Sequence, residues 1–522
     1  MTKQSFIKGA MILLAAGIIN RLLAFVPRIT LPRIIGAEGV GLYQLSYPFL
    51  IVMLTFITGG IPLAIAKWIA EAESKGDHAR VKHIFRTAML LSISIAAFLT
   101  AVMLIFAPII TKYVLPDARV YRTFFMMSPM LLIVGVSAVY RGYFQGKQNM
   151  IPSALSQTIE TIIRIIFSLL FAYLLLPLGL EWAAAGAMLG VTIGELGGLA
   201  VYLWKYYSEK KKEKLAAASQ PNKKNEISEK PPKVLRRLLG LSIPVTGSRL
   251  VGSLSYLFES IFIARSLAAA GIATGIATAH YGALQGMIIP LILLPTALTQ
   301  SLAVSLVPSL SEAAAKGEFG LIQKRLHQSM RLALVSGAPF IVVMALFAEP
   351  LCRILYAHGE YAPMLQLMAP IGIFIYLQAP LQAALQALNR PGTALTNTFI
   401  GAVVKLTLIV QLASQPSLGI YGALIAINVN TILVTLLHGI SVLRHIGFKM
   451  KLLDFAKVGA AMIIMGAAAK FVMNKELLSL EYLNLIIACM ASITVYLLLM
   501  IWMKFIDRFD VIRIPLIGRW FK

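Results

Sequence analysis

Apolar residues in this chain come in blocks of about 20, enough to cross a bilayer as helices, with short polar connections between them. Nothing alternates with the period of two that the strands of a membrane barrel would need. The blocks fall near 8–34, 42–66, 84–108, 121–143, 153–176 and 182–204, then near 237–262, 280–307, 330–349, 363–386, 394–413 and 419–442. Two more, near 455–473 and 481–503, follow without counterparts. The pattern predicts an all-α polytopic membrane protein of about 14 transmembrane helices, as two six-helix units plus two C-terminal helices. The implied organisation is a lobe over 1–207, a disordered basic linker over 208–233, a second lobe over 234–445, and two extra helices with a basic tail over 446–522.

The two units are copies of one another. Glu71-Ala-Glu-Ser-Lys-Gly-Asp77 returns as Glu312-Ala-Ala-Ala-Lys-Gly-Glu318, 241 residues later. Gln145 and Ser153-Ala-Leu-Ser-Gln157 return as Gln386 and Thr393-Ala-Leu-Thr-Asn397, and Asn20-Arg21-Leu22 as Ser248-Arg249-Leu250. An even number of spans per copy makes the copies parallel. Two similar halves about a central site are a common architecture among transporters.

Composition narrows the class. Of 522 residues, 58% are hydrophobic and only 13% charged, about half the soluble norm. The net charge of +25 falls on alternate connections. Eleven Lys or Arg lie between Lys205 and Arg237, and others cluster at 67–86, 316–331, 444–457 and 504–522, while the connections near 36–41, 177–181 and 414–419 have none. This is the positive-inside pattern, with both termini in the cytoplasm. It argues for anionic membrane lipids as partners and against nucleic acid. Cys352 and Cys489 are too few for a disulfide framework or a metal cluster. Neither a phosphate-binding loop nor a zinc-protease motif is present, and no Asp-x-Asp pair offers a metal site for sugar transfer. The reading is a non-enzyme without cofactor.

Charge inside a bilayer is expensive, so the charges that remain within spans are the candidates for function. Arg21, Arg28 and Arg33 lie in the first span, with Arg21 and Arg28 seven residues apart on one helical face. Arg249 is the counterpart of Arg21 in the second copy. The planar guanidinium fork suits phosphate, so Arg21, Arg28 and Arg249 are expected to bind an anionic, pyrophosphate-bearing substrate; Arg33 is assigned to the outer surface. Glu160 and Arg164, spaced i,i+4, read equally as a structural ion pair or a substrate contact, and Lys405 repeats the cation of Arg164 in the second copy. Glu195 and Glu259 lack a sequence-local partner and are candidates either for a coupling proton or sodium or for balancing an arginine. Asn428 and Asn430 are candidates for helix bridging or cation coordination.

Several stretches carry a family resemblance: Gly36-Ala-Glu-Gly-Val-Gly-Leu-Tyr43, Arg141-Gly-Tyr-Phe-Gln-Gly-Lys-Gln-Asn-Met150, Ala183-Ala-Ala-Gly-Ala-Met-Leu189, Thr246-Gly-Ser-Arg249, Pro380-Leu-Gln-Ala-Ala-Leu-Gln-Ala-Leu-Asn389 and Ile514-Pro-Leu-Ile-Gly-Arg519. With the duplicated architecture they resemble the lipid-flippase branch of the multidrug/oligosaccharidyl-lipid/polysaccharide exporter superfamily, in the polysaccharide biosynthesis protein family. The resemblance implies an alternating-access flippase for a lipid-linked cell-wall precursor, used to build the spore cortex. It implies that Arg21 and Arg28 line a cationic cavity. It names Glu259, Asn397 and Asn428 as ion-coupling candidates, driven by membrane potential, H+ or Na+. The implied partners are the lipid-linked oligosaccharide or lipid pyrophosphate, and wall-synthesis enzymes. The competing readings are a drug/cation antiporter of the same superfamily, a membrane scaffold recruiting wall-synthesis enzymes, and a membrane glycosyltransferase.

Overall fold

The computed structural model describes residues 6–217, 231–448, 450–475, 480–503 and 505. Every regular element among them is helical. The chain forms two compact units, Met1–Gly286 and Met287–Lys522.

The first unit contains α1 (Phe6–Leu23), α2 (Phe25–Thr58), α3 (Ile61–Ser74), α4 (His78–Ile109), α5 (Tyr121–Met127), α6 (Met130–Gly146), α7 (Ile151–Leu175), α8 (Leu180–Ala217), α9 (Pro231–Ala269) and α10 (Thr274–Gly282). The second contains α11 (Ile289–Ile292), α12 (Thr296–Ala315), α13 (Phe319–Leu346), α14 (Ala348–Tyr356), α15 (Ala362–Met368), α16 (Gly372–Ala387), α17 (Pro391–Ala413), α18 (Ile420–Ile446), α19 (Leu452–Met473) and α20 (Glu481–Trp502). Twelve segments among the described residues are long and apolar enough to span a membrane.

One of these segments, Ala15–Ser74, takes in both of the first two spans expected from sequence. No loop separates them. The backbone bends instead at Gly36, with φ 66 and ψ 177, a region essentially reserved for glycine. The connection 208–233 also differs from expectation. Helix α8 continues to Ala217, through Lys210-Lys-Lys-Glu-Lys-Leu-Ala-Ala217. These are strong helix formers, and the polar composition that argued for disorder does not prevent a helix. Residues 218–230 and the expected basic tail over 506–522 lie outside the described residues.

The internal duplication is visible in the backbone. Gly76 and Gly317, 241 apart, take φ 69 and 71, and Gln148 and Asn389, also 241 apart, both take φ 57. Each position follows a helix and is closed by the same bonds. Asp77 N donates to Ala72 O at 3.0 Å and Glu318 N to Ala313 O at 2.9 Å; Asn149 N donates to Phe144 O at 2.9 Å and Arg390 N to Leu385 O at 2.8 Å. These are the long bonds of a Schellman cap, which satisfy the last helical carbonyls and offset the cost of left-handed backbone at Gln148 and Asn389. Lys75 and Lys316 reach back to Glu71 and Glu312 at 2.9 and 2.7 Å across the same turn.

Each unit has its own core. In the first, Ile61, Ile65, Ile69 and Ala72 form one face of α3 against Val139, Tyr143 and Phe144 of α6. The fit depends on Gly142 and Gly146, where an added Cβ would stand 2.8 Å from Ile65 Cβ and Ile69 Cβ. Phe85 sits among Tyr140, Tyr143 and Tyr206 with ring centroids 5.3 Å apart, the edge and stacked geometries aromatic rings prefer. In the second unit α12, α13, α16 and α18–α20 close around Leu310, Leu326, Leu334, Leu385 and Tyr496. Ile463, Phe471, Met490 and Trp502 of α19 and α20 point outward, as side chains facing acyl tails do.

Candidate functional site

The site is best built from α8 outward. Gly186, Gly190, Gly194 and Gly198 recur every fourth residue and form one stripe along the helix. Small residues at this spacing let two membrane helices approach to backbone contact. Helix α7 fills the stripe: a Cβ on Gly190 would lie 2.1 Å from Ser168 N, and one on Gly194 2.7 Å from Arg164 Cβ. Ser168 Oγ donates to Ala187 O at 2.8 Å and Ser156 Oγ to Gly198 O at 2.9 Å.

This contact puts Glu195 of α8 beside Glu160 of α7, with their carboxyl groups within hydrogen-bonding reach of one another. Arg164 Nη1 donates to Glu160 Oε1 at 3.2 Å, and its Nη2 reaches Thr161 Oγ1 at 3.5 Å. Arg141, from α6, acts on both carboxyls and donates through Nε to Tyr202 Oη of α8 at 3.4 Å. The i,i+4 pair read from sequence is therefore part of a larger charged cluster drawn from α6, α7 and α8.

Arg164 is also within electrostatic range of a second group. It and Arg28 both act on the hydroxyl of Tyr43, which belongs to α2. Two of the expected substrate-binding cations, 136 positions apart, thus lie within electrostatic range of one tyrosine. The Arg28 guanidinium also lies 5.8 Å from the Phe25 ring centroid. Beyond Tyr43 the ring of Tyr47 follows at 6.1 Å. Tyr47 and Tyr43 in turn act on Tyr256 of α9, which neighbours Glu259 and Tyr281. Glu259 is buried and accepts from Gln285 Nε2 at 3.2 Å. Gln285 stands on a π-helical turn, Ala283–Ile288, an irregularity often found at functional positions. In the sequence Glu195 had no evident partner; here Glu160 and Arg141 supply it.

Arg21, Arg28, Arg33 and Arg249 keep exposed side chains in the first unit. Arg28, Arg141 and Arg164 outnumber Glu160 and Glu195 around Tyr43 and the carboxyl pair, and Glu259 stands further on beside Tyr256. A site with that surplus suits an anion, and guanidinium forks suit phosphate oxygens in particular.

The remaining candidates lie in the second unit. Lys405 of α17 is buried. Asn397 donates through Nδ2 to Ser441 Oγ at 2.9 Å and stands 3.1 Å from His438 Nδ1. Asn428 Nδ2 donates to Leu367 O at 3.1 Å. Both amides tie α18 to a neighbour, the bridging role such residues commonly play in membranes.

Sequence reasoning gave no site role to Arg141, Tyr202, Tyr43 or His438, although Tyr43 and Arg141 delimit two of the stretches that carry the family resemblance. A signal for Arg141 and Tyr202 was available: three overlapping G-x-x-x-G motifs in 186–198 mark the face of α8 that must meet another helix. Tyr43 and His438 carried none, because neutral aromatic side chains are unremarkable in apolar blocks.

Comparison with known proteins then decides the family. Residues 6–314 match the family model described as "Polysaccharide biosynthesis protein". Stage V sporulation protein B of Bacillus subtilis (strain 168) is 40% identical over 522 residues, covering 99% of each chain. The chain belongs to the polysaccharide biosynthesis protein family. A further relative, Lipid II flippase MurJ of the same organism, is 27% identical over 90% of this chain and 88% of its own. Among solved structures, one described as "Lipid II flippase MurJ, inward closed conformation" has a TM-score of 0.69 at 16% identity, covering 95% of this chain and 99% of that one. At that identity the likeness shows the fold alone, an all-α polytopic membrane protein.

Proposed function

We propose that this protein is an alternating-access flippase that carries a lipid-linked cell-wall precursor across the cytoplasmic membrane, in the service of spore cortex synthesis. The observation that carries the reading is the end-to-end relation to Stage V sporulation protein B, together with the relation to Lipid II flippase MurJ. The surplus of guanidinium groups around Tyr43 supports it chemically. Arg28 and Arg164 hold the pyrophosphate of the substrate, with Arg21 and Arg249 as further contacts and Lys405 as a cation of the second unit. The outward apolar side chains of α19 and α20 offer surface to the lipid tail. Both termini are cytoplasmic, and the basic connections lie against anionic lipids and are where wall-synthesis enzymes dock.

Coupling draws on the membrane potential, worth about 2.3 kcal/mol per charge per 100 mV, or on H+ or Na+ at Glu195, Glu259, Asn397 and Asn428. The test is translocation of a labelled lipid-linked disaccharide in vesicles containing the purified protein. Arg28→Ala and Arg164→Ala each lower the rate by about tenfold or more, the order expected when a charge-assisted phosphate contact of about 1.5–3 kcal/mol is removed. Correctly inserted variants that translocate at the wild-type rate refute the assignment.

A further inference from the structure

The carboxyl groups of Glu160 and Glu195 lie within hydrogen-bonding reach of one another where Gly194 and Gly198 press α8 onto α7, and that closeness carries a chemical requirement. An ionised carboxylate only accepts, so a bond between two carboxyls needs a proton on one of them. The pair cannot relax by moving apart, because Gly194 and Gly198 hold α8 against Arg164 and Glu160 themselves, with would-be Cβ distances of 2.7 Å to Arg164 Cβ and 3.2 Å to Glu160 Cβ.

The surroundings set what that proton does. Arg164 from α7 and Arg141 from α6 face the pair, and Tyr202 of α8 holds Arg141 at 3.4 Å. From α2, Tyr43 and Arg28 complete the surroundings, with Arg28 and Arg164 both in electrostatic range of the Tyr43 hydroxyl. Helix α1, packed on α7, carries Arg21, whose side chain is exposed. Helix α5, packed on α8, carries Arg122, which is engaged by Glu181 at 3.7 Å and by the Trp182 ring at 4.0 Å. With both carboxyls ionised, the two guanidinium charges of Arg141 and Arg164 are matched. With one proton shared between them, one guanidinium charge is left over, and Arg164 is the one that, like Arg28, is in electrostatic range of Tyr43.

We propose that Glu160 and Glu195 share a single exchangeable proton, which decides whether Arg164 is committed to the carboxyls or available to an anionic ligand beside Arg28. The proton comes from water and returns to it, and no other bond is made or broken. Protonation therefore favours the anion-bound state, and anion binding in turn favours protonation, since coupling between two sites is reciprocal. This rests on the reading of Arg28 and Arg164 as a pyrophosphate site. It adds a named proton carrier to that site.

Two measurements on the full-length protein in detergent test it. Infrared difference spectra across a pH titration should show a protonated-carboxyl band that vanishes as pH rises and is absent from both Glu160→Gln and Glu195→Gln. Binding of a polyprenyl pyrophosphate should weaken by up to about tenfold per pH unit above the titration point, the limit for one linked proton. In Glu195→Gln, which mimics the protonated acid, binding should stay tight at every pH. Lack of any band lost in the two variants overturns the proposal, as does a wild-type binding profile as flat as that of Glu195→Gln. If no lipid pyrophosphate binds at any pH while the band titrates in the wild type and is missing from the variants, the substrate reading fails and the proton site stands. The wild-type titration needs no variant to fold.

Discussion

Replacing Gly190 with alanine tests the contact on which the charged cluster depends. The new methyl would stand 2.1 Å from Ser168 N, 2.3 Å from Ser168 Cα and 2.5 Å from Phe167 C, where ordinary contact begins at 3.4 Å. All three are backbone atoms, so no side chain can swing aside. The helices must part by roughly 1.3 Å, the difference between 3.4 and 2.1 Å, which is a gap wide enough to forfeit much of the dispersion attraction along the seam. Overpacking of this kind costs about 1–3 kcal/mol. Weakening of the Ser168–Ala187 and Ser156–Gly198 hydrogen bonds adds about 0.6 kcal/mol each, a typical value within a membrane. Better helix propensity returns at most about 1 kcal/mol. The expected balance is a loss of about 1–3 kcal/mol.

Two control positions sharpen the measurement. A Cβ at Gly197 crowds only Ile163 Cδ1, at 2.3 Å, the end of a side chain that can rotate, with Ile163 Cγ1 and Cβ at ordinary contact distance, so alanine there should cost less than about 1.5 kcal/mol. At Gly247 nothing lies within 4 Å, and alanine should be neutral or stabilising by up to about 1 kcal/mol. The assay is the temperature at which half of the detergent-solubilised protein stays monodisperse on size exclusion. The order should be Gly247→Ala highest, then Gly197→Ala, then Gly190→Ala. If Gly190→Ala matches Gly247→Ala, α7 and α8 do not touch through this stripe, and the juxtaposition of Glu160 with Glu195 goes with it.

Other positions give independent checks. Gly36→Ala should cost about 1–3 kcal/mol, because its φ of 66 and ψ of 177 fall where side chains are strained; the same thermal assay reads it, and an unchanged midpoint would mean that α2 does not bend there. Asn397→Ala leaves Ser441 Oγ and the buried His438 ring without its amide and should cost about 1–2 kcal/mol; a loss of transport with no loss of stability would point instead to a direct role in ion coupling.

The sequence was enough to establish the class of protein, all-helical and crossing the membrane many times, and its duplication. Apolar blocks are long because the bilayer is thick, and basic connections alternate because charge placement orients the chain; both are one-dimensional signals. Even the backbone of the repeat was recoverable, since Lys75-Gly76 and Lys316-Gly317 mark the same left-handed turn. The guanidinium groups, too, announced themselves by being costly in a membrane. Which charges meet was another matter. Glu160 seemed complete with Arg164 four residues on, and Glu195 seemed alone, because helical periodicity reports neighbours on one helix and says nothing of the next. Only close packing of α7 on α8 brought the two carboxyls together, and only α6 and α2 supplied Arg141 and Tyr43. Composition dictates that a buried charge must find a partner. The partner itself is set by which helices can approach to backbone distance, and that depends on glycines whose contribution is the absence of a side chain.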